Sequence, residues 1–251
     1  MRFSIVFFSA AGHTLKVIRH VAEQMGGMDR TVDLSDPFLK ECTFGKDERV
    51  IIACPVYGGR IPGIVVERLQ KVSFESTRVV TLVTYGNRAY EDALLELNDT
   101  ILARGGIPIA SAAVVTQHSM VPTVASNRPT EIDFQNLSVF ARFALQKYDD
   151  MHAVPVEVPG NRPYRAWSKM PVTPVVSGKC VRCGMCIQRC PTMAIWITDP
   201  KKTDPSKCIL CMRCVAMCPQ GARSLPSAAQ QAIEKKLAPV AKLTRENEFF
   251  F

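Results

Sequence analysis

The chain has 251 residues, ten of them cysteines, and its 31 Lys and Arg residues exceed its 23 Asp and Glu residues by eight. This length gives room for about two domains, which excludes a small fold held together by disulfides alone. The apolar run in the opening MRFSIVFF is too short for a signal sequence or a membrane span. We therefore expect a soluble cytoplasmic protein whose cysteines bind metal in a reducing compartment.

Residues 1–150 alternate short apolar segments with amphipathic segments, which is typical of a doubly wound α/β fold. The predicted strands are 2–8, 49–54, 78–84 and 107–115, with 31–35 as an outer strand. The predicted helices are 14–26, 90–106 and 131–148. The sequence thus predicts a parallel five-stranded sheet covered by helices, with a ligand at the carboxyl ends of the strands.

The loops after three of these strands carry residues that suit a flat aromatic ligand with a phosphate group. The first, SAAGHT (9–14), runs directly into a helix, and its Ser9 and Thr14 hydroxyls and backbone N–H groups form a phosphate site without a lysine. The second and third, PVYGGRIPG (55–63) and YGNRAYED (85–92), each place a tyrosine beside glycine. Two plainer interpretations stay open: a helix cap above an empty crevice, and tyrosines that only cover the sheet.

A proline-rich segment, 153–177, separates this domain from the rest of the chain, and most of the positive charge lies beyond it. We expect an extended connector in which Tyr164 and Trp167 anchor onto a domain surface. The tail, 227–251, is predicted to begin as a helix and to end in three docked phenylalanines. The predicted divisions are 1–152, 153–177, 178–226 and 227–251.

Two cysteine runs with the spacing C-x2-C-x2-C-x3-C-P begin at Cys180 and Cys208. In bacterial iron–sulfur runs the first three thiolates hold one cluster and the fourth ligates the other. The spacing assigns Cys180, Cys183, Cys186 and Cys218 to cluster one, and Cys208, Cys211, Cys214 and Cys190 to cluster two. Zinc ligation and disulfides are the alternatives. Of the two remaining cysteines, Cys54 is predicted to be buried, and Cys42 has no assigned role.

Both halves resemble known families. Residues 177–225 resemble a two-[4Fe–4S] ferredoxin, residues 3–148 resemble a flavodoxin, and the whole chain resembles the flavodoxin–ferredoxin fusion proteins of anaerobic microbes. The resemblance implies an FMN phosphate site at the first loop. There Ser9, Gly12, His13 and Thr14 match the flavodoxin pattern, while Ala11 replaces a hydroxyl residue.

The resemblance also implies how the flavin ring is held. Tyr90 is expected to stack on the isoalloxazine, backbone near Gly86 to contact its pyrimidine edge, and Tyr57 to cover its other face. The further cofactor-binding residues that it implies are Pro55, Gly58, Gly59, Tyr85, Asn87 and His118.

We expect an electron-transfer flavo-iron–sulfur protein that passes electrons between two [4Fe–4S] clusters and FMN and meets a redox partner protein of unknown identity. The alternatives are an FMN-dependent reductase of a small organic acceptor, and a partner-activating ferredoxin with an empty flavin pocket. An open cavity over the flavin with His118 or Arg128 in its wall favours the reductase, whereas a ring capped by Tyr57 or the 116–128 loop favours the carrier. No reader motif accompanies the basic charge, so nucleic acid is not expected as a partner.

Overall fold

Parallel strands form the centre of the first domain in the computed structural model, which describes residues 2–150, 152 and 154–251. The elements in chain order are β1 (Phe3–Phe7), α1 (His13–Gln24), β2 (Met28–Asp33), β3 (Cys42–Phe44), β4 (Val50–Pro55), α2 (Gly63–Leu69), β5 (Val72–Phe74), β6 (Thr77–Tyr85), α3 (Ala93–Ala103), β7 (Gly106–Val115), α4 (Glu131–Asp149), β8 (Val175–Val176), α5 (Met185–Gln188), α6 (Arg213–Ala216), β9 (Arg223–Ser224), α7 (Ser227–Ala241) and β10 (Glu248–Phe250). The main sheet has the order β10-β7-β6-β4-β1-β2, and every pair in it is parallel except β10 with β7. The predicted doubly wound parallel sheet is confirmed.

The sheet is covered on both faces because its central strands are almost entirely apolar. All five residues of β1 and the first five of β4 are buried. Helices α1 and α4 pack on one face of the sheet, and helices α2 and α3 pack on the other. Each face has one apolar cluster beneath its pair of helices. This arrangement brings the carboxyl ends of β1, β4, β6 and β7 to one edge, with the loops that follow them.

Two helices differ from the sequence prediction. Helix α2 was not predicted, because its seven residues are too few for a clear periodicity. Helix α3 begins at Ala93 instead of residue 90, since Glu91 adopts a positive φ of 46° and holds the preceding loop out of the helix. Among the described residues, no helix has both the length and the apolar character that crossing a membrane requires.

The C-terminal tail adds a strand to the first domain. Strand β10 pairs antiparallel with β7, so the end of the chain, which follows the second domain, returns to the sheet of the first domain. Phe249 stacks on Phe140 with ring centroids 5.1 Å apart, and Phe250 packs against the opposite core. The predicted docking is therefore confirmed for these two phenylalanines, while Phe251 is 47% exposed.

The second half of the chain is fixed to the first by its connector and by an apolar interface. In the connector, the Tyr164 hydroxyl donates to Asp99, and a Cβ placed on Gly58 would collide with the Trp167 ring. The interface, which we call the interdomain core, joins the β7–α4 loop, the second cysteine run and α7. Its buried members are Val121, Val124, Leu210, Met212, Leu225, Ile233 and Leu237.

Candidate flavin and iron–sulfur sites

The loop after β1 forms part of a cavity at the carboxyl edge of the sheet. Gly12 precedes α1 with a φ of 94°, a conformation that favours glycine. The Ser9 hydroxyl accepts the N–H of Leu15 at 3.0 Å, and the Thr14 hydroxyl is hydrogen-bonded to that of Thr84 at 2.7 Å. The first-turn N–H groups of α1 have no intrahelical acceptor, so this helix end is suited to an anion.

This sheet-edge cavity encloses about 70 Å³. Ligand pockets commonly fall between about 300 and 1,000 Å³, so the flavin ring would extend beyond this enclosed space. Seven of the residues predicted from the sequence line it: Ala11, His13, Thr14, Pro55, Tyr57, Gly86 and His118. The prediction missed Ala10, Val56, Thr84, Thr116, Gln117, Ser119 and Cys211. Thr84 and Thr116 lie where predicted strands end and were accessible to sequence reasoning, whereas nothing local marks Cys211.

Two predicted glycines lie just outside this cavity and allow close packing of the second loop. Gly58 and Gly59 both have a positive φ, of 63° and 90°. A side chain on Gly58 would collide with Trp167, and one on Gly59 would collide with Glu91. These two glycines therefore let the connector and the third loop close over the second loop.

Three residues of the third loop do not reach the cavity, contrary to prediction. The Tyr90 ring is buried against Tyr85, with centroids 5.5 Å apart, and its hydroxyl donates to Glu248 at 2.7 Å. The Asn87 side chain donates to the carbonyls of Val240 and Leu243, both at 2.8 Å. Asn87 and Tyr90 thus bind the C-terminal tail, none of the three lines the sheet-edge cavity, and the stacking of Tyr90 on a flavin ring stays a prediction.

His118 covers Gly86 at the cavity wall. A Cβ on Gly86 would overlap its ring. Its Nδ1 accepts the N–H groups of Met120 and Val121 at 3.2 and 3.1 Å, which leaves Nε2 to carry the proton. Burial, assisted by the charge of Arg88, lowers the pKa of His118 to about 4. The imidazole is therefore a neutral N–H donor at neutral pH.

Arg128 lies outside the cavity and fastens the β7–α4 loop. It forms two hydrogen bonds of 2.6 Å to Asp133 and donates to the Arg245 carbonyl at 2.8 Å. The same loop nevertheless contributes Thr116, Gln117, His118 and Ser119 to the wall. Of the two loop residues that were considered for the flavin site, only His118 is placed there.

The eight motif cysteines surround two separate small cavities, each enclosing about 20 Å³. The first is lined by Cys180, Cys183, Cys186 and Cys218, and the second by Cys190, Cys208, Cys211 and Cys214. The structure therefore brings the cysteines together in the two sets that the spacing assigned. Cys54 is fully buried in the flavodoxin-like core, and Cys42 lies in β3, away from both cavities.

The donor groups around the two cysteine sets fit iron–sulfur clusters. The Ala194 N–H donates to Cys190 Sγ and the Ala222 N–H to Cys218 Sγ, both at 3.3 Å. In the wall of the second cavity, Arg213 has a buried Nε without a hydrogen-bond partner among the described residues. A buried N–H donor needs an acceptor, and a cluster sulfur would supply one.

The two cysteine cavities stand in different positions relative to the sheet. Cys211 lines both the second cysteine cavity and the sheet-edge cavity, and it packs against the core of the first domain. Burial raises the pKa of the neighbouring Tyr57 well above its usual range, with the Cys211 thiolate contributing to the shift, so that phenol stays protonated. In the first cysteine cavity Cys183 is exposed. The second set therefore adjoins the candidate flavin site, and the first set reaches the surface.

A further cavity of about 1200 Å³, including its open mouth, lies between the domains. We call it the interdomain cavity. It shares Val56, Tyr57, His118 and Ser119 with the sheet-edge cavity and continues to the connector and α7. The two cavities are therefore neighbours that meet at His118.

A doubly wound sheet with a cavity at its carboxyl edge, followed by two four-cysteine sites, defines the class of flavin and iron–sulfur electron-transfer proteins. The flavodoxin domain model matches residues 4–155, and the 4Fe-4S binding domain model matches residues 173–196 and 201–224. The first match spans more than half of the chain, so the chain belongs to the flavodoxin domain family, here fused to a ferredoxin region. This membership implies FMN and two [4Fe–4S] clusters as cofactors.

Solved structures similar to this chain include several flavodoxins. Rubredoxin oxygen:oxidoreductase from the anaerobe Desulfovibrio gigas is 16% identical, with 59% of this chain and 36% of that chain covered and a TM-score of 0.43. The flavodoxin of Streptococcus pneumonia TIGR4 is 17% identical, with 59% and 99% covered and a TM-score of 0.43. A flavodoxin from the domain Archaea is 11% identical, with 60% and 100% covered and a TM-score of 0.40. No curated protein matches the chain.

Proposed function

We propose that this protein passes electrons between two [4Fe–4S] clusters and FMN within a single chain. The observation that carries the proposal is the position of Cys211, which lines both the second cysteine cavity and the sheet-edge cavity. A ligand of cluster two would then form part of the wall of the flavin site, with no other segment between them. When bound, the clusters supply electrons singly, and FMN exchanges them singly or in pairs.

The chain's own residues have distinct roles in this proposal. The His13 and Thr14 N–H groups at the start of α1 and the Thr14 hydroxyl hold the FMN phosphate, since a helix N-terminus favours an anion. Tyr57, whose phenol stays protonated, covers one side of the ring site. His118 presents its Nε2–H donor there, because its Nδ1 is already occupied by two backbone N–H groups.

The two clusters occupy different places on the proposed route. Cluster two, held by Cys190, Cys208, Cys211 and Cys214, lies beside the flavin. Cluster one has the exposed ligand Cys183, and Val181 and Met185 around it are 64% and 39% exposed. An external redox partner protein therefore exchanges electrons at cluster one.

The docking of the two domains supports transfer within one molecule. Arg68 of α2 is buried and donates to the carbonyls of Leu34, in the first domain, and Pro191, beside Cys190. The interdomain core lies close to the same cysteine run, since Leu210 and Met212 belong to both. A fixed pose removes the diffusional encounter that separate carriers need.

Anaerobic flash reduction of the clusters, with flavin absorbance followed at several protein concentrations, tests the proposal. The rate of flavin reduction is expected to be independent of protein concentration and to change little with salt concentration, because no partner has to diffuse in. A matched comparison uses the two halves separated near Pro159, in which the rate should become dependent on concentration. A rate proportional to concentration in the intact chain would contradict the proposal.

A second candidate function is reduction of a small organic acceptor at the flavin. The interdomain cavity favours it, because this cavity is open, has His118 in its wall and adjoins the sheet-edge cavity. A screen of acceptors with flavin reoxidation as the readout tests it. Reoxidation that depends on acceptor concentration and saturates is expected for a substrate, and its absence across anionic, neutral and cationic acceptors would contradict this function.

A further inference from the structure

The interdomain cavity carries more positive charge than its neighbours balance. Four cationic side chains line it: Arg88, Arg165, Lys169 and Lys236. No carboxylate among the described residues lines it, although Glu91 behind the wall pairs with both Arg88 and Arg165. One carboxylate shared by two guanidinium groups leaves a net positive charge on this side.

The two lysines add charge that no carboxylate balances. Lys169 Nζ donates to the carbonyls of Pro205 and Ser206, which are neutral acceptors. Lys236 forms no ion pair with any residue that the structure describes. An anion in the cavity would lie in the positive field of these side chains.

Much of the rest of the wall is apolar, apart from Tyr57, His118, Ser119 and Ser168. Trp167 is 43% exposed, although tryptophan usually buries most of its surface. Met120, Met170 and Leu237 line the same cavity. Apolar walls with a few fixed charges are typical of sites that bind small organic molecules.

We infer that the interdomain cavity binds a small organic anion with an apolar body, such as an aryl or alkyl carboxylate, next to the flavin. This inference rests on the proposed FMN position in the sheet-edge cavity, and it gives the charge and shape, but not the reducible group, of an acceptor for the second candidate function. The competing explanation is that the cations only balance the negative charge of cluster two. In that case the cavity would not distinguish an anion from a neutral molecule of the same shape.

The test is anaerobic titration calorimetry of the FMN- and cluster-loaded protein with 3-phenylpropionate. This acid has no side-chain double bond, so the flavin cannot reduce it during the titration. The neutral control is 3-phenylpropanamide, which has the same shape. We expect one site per chain, a change in the flavin absorption spectrum, and binding of the amide that is weaker by roughly tenfold, as for loss of a charge-assisted contact. Equal binding of acid and amide, or no binding of the acid, would overturn the inference.

Adjacent lysines of α7 provide a matched pair of variants. Lys236→Glu reverses a charge that lines the cavity, and Lys235→Glu reverses an exposed charge that does not. We expect Lys236→Glu to weaken binding of 3-phenylpropionate about tenfold, because the reversal replaces attraction by repulsion, and Lys235→Glu to change it less than about twofold. An equal loss of 3-phenylpropionate affinity in both variants would show that the effect comes from the net charge of the protein, and would overturn the inference.

Flavin content and cluster-to-flavin transfer are measured in the same preparation without 3-phenylpropionate. If FMN is bound and reduced by the clusters but the acid does not bind, this inference fails and the proposed electron transfer stands. If FMN is absent or is not reduced, the proposed function itself fails. Binding to the FMN-free protein that is lost on adding FMN would show that the cavity is part of the flavin site, and would also overturn the inference.

Discussion

The turn at Gly12 provides a direct test of the phosphate loop. We predict that Gly12→Ala weakens FMN binding about 5- to 30-fold. The backbone there has a φ of 94°, and a left-handed conformation costs an L-residue about 1–2 kcal/mol, which corresponds to that range of affinity. A Cβ at Gly12 would meet no atom within 4 Å, so the penalty comes from the backbone and not from crowding.

The physical reason for a loss of affinity is that Gly12 sets the position of the first turn of α1. Relaxation of the strained turn would move the amides that face the sheet-edge cavity. Bound FMN requires the strained turn. The free energy of that strain therefore makes FMN binding weaker. Gly12 itself does not line the cavity, so its new methyl group would not block the ligand directly.

The assay is fluorescence titration of FMN into flavin-free protein with intact clusters, repeated with riboflavin. Gly63→Ala is the matched control, because a Cβ there also meets no atom within 4 Å and its φ is not in the strained region. The control should bind FMN as the unchanged chain does. If Gly12→Ala bound FMN as tightly as Gly63→Ala, or if riboflavin bound as tightly as FMN, loop 9–14 would not be the phosphate site.

Three other predictions test the neighbouring sites. Gly86→Ala should displace the His118 ring and alter the flavin spectrum, whereas Gly178→Ala, which meets no atom within 4 Å, should not; identical spectra would refute the assigned wall. Cys180→Ser should lower the iron content by about one four-iron cluster and Cys42→Ser should leave it unchanged, so full iron in every ligand variant would refute the assignment. The pKa of His118 is lowered to about 4 in the folded protein, so its neutral form contributes stability that is present above pH ~6.5 and lost as the pH falls toward 4. His118→Gln should remove that part of the pH dependence of unfolding, at most about 3 kcal/mol, and an unchanged slope would contradict it.

Local patterns were enough to predict the main sheet and the cysteine sets. Runs such as VIIAC (50–54) are apolar at every position because both faces of a parallel strand are buried. Such a run can therefore be recognised as a strand without knowing its distant partners. The cysteine spacing likewise predicts which cysteines share a cavity. Tight loops place the first three thiolates of a run together, and the fourth lies in the other cavity.

Strand β10 was not predictable from its own residues. Glu248–Phe250 is only three residues long and becomes a strand by pairing with Ser111–Ala113, more than 130 positions earlier. Cys211 was missed at the flavin site for the same reason, because its place in that wall depends on how two domains dock. Short segments with distant partners carry too little local information.

The same tail explains why three residues of the third loop lie outside the sheet-edge cavity. Its residues match a flavin-binding pattern, but their polar groups are already used: Asn87 binds the carbonyls of Val240 and Leu243, its own carbonyl accepts from Arg245, and Tyr90 binds Glu248. The loop pattern alone could not anticipate this competition, because the competing groups lie more than 150 residues away.

One structural consequence links the two halves of the protein. Gly86 lines the sheet-edge cavity, while Asn87, the next residue, holds the segment that follows α7. Helix α7 also supplies Ile233 and Leu237 to the interdomain core, against Leu210 and Met212 on either side of Cys211. The loop beside the proposed flavin and the run that holds cluster two are therefore positioned by the same C-terminal element. Because both contact α7 and the tail, a shift of that element would move the wall of the proposed flavin site and Cys211 together.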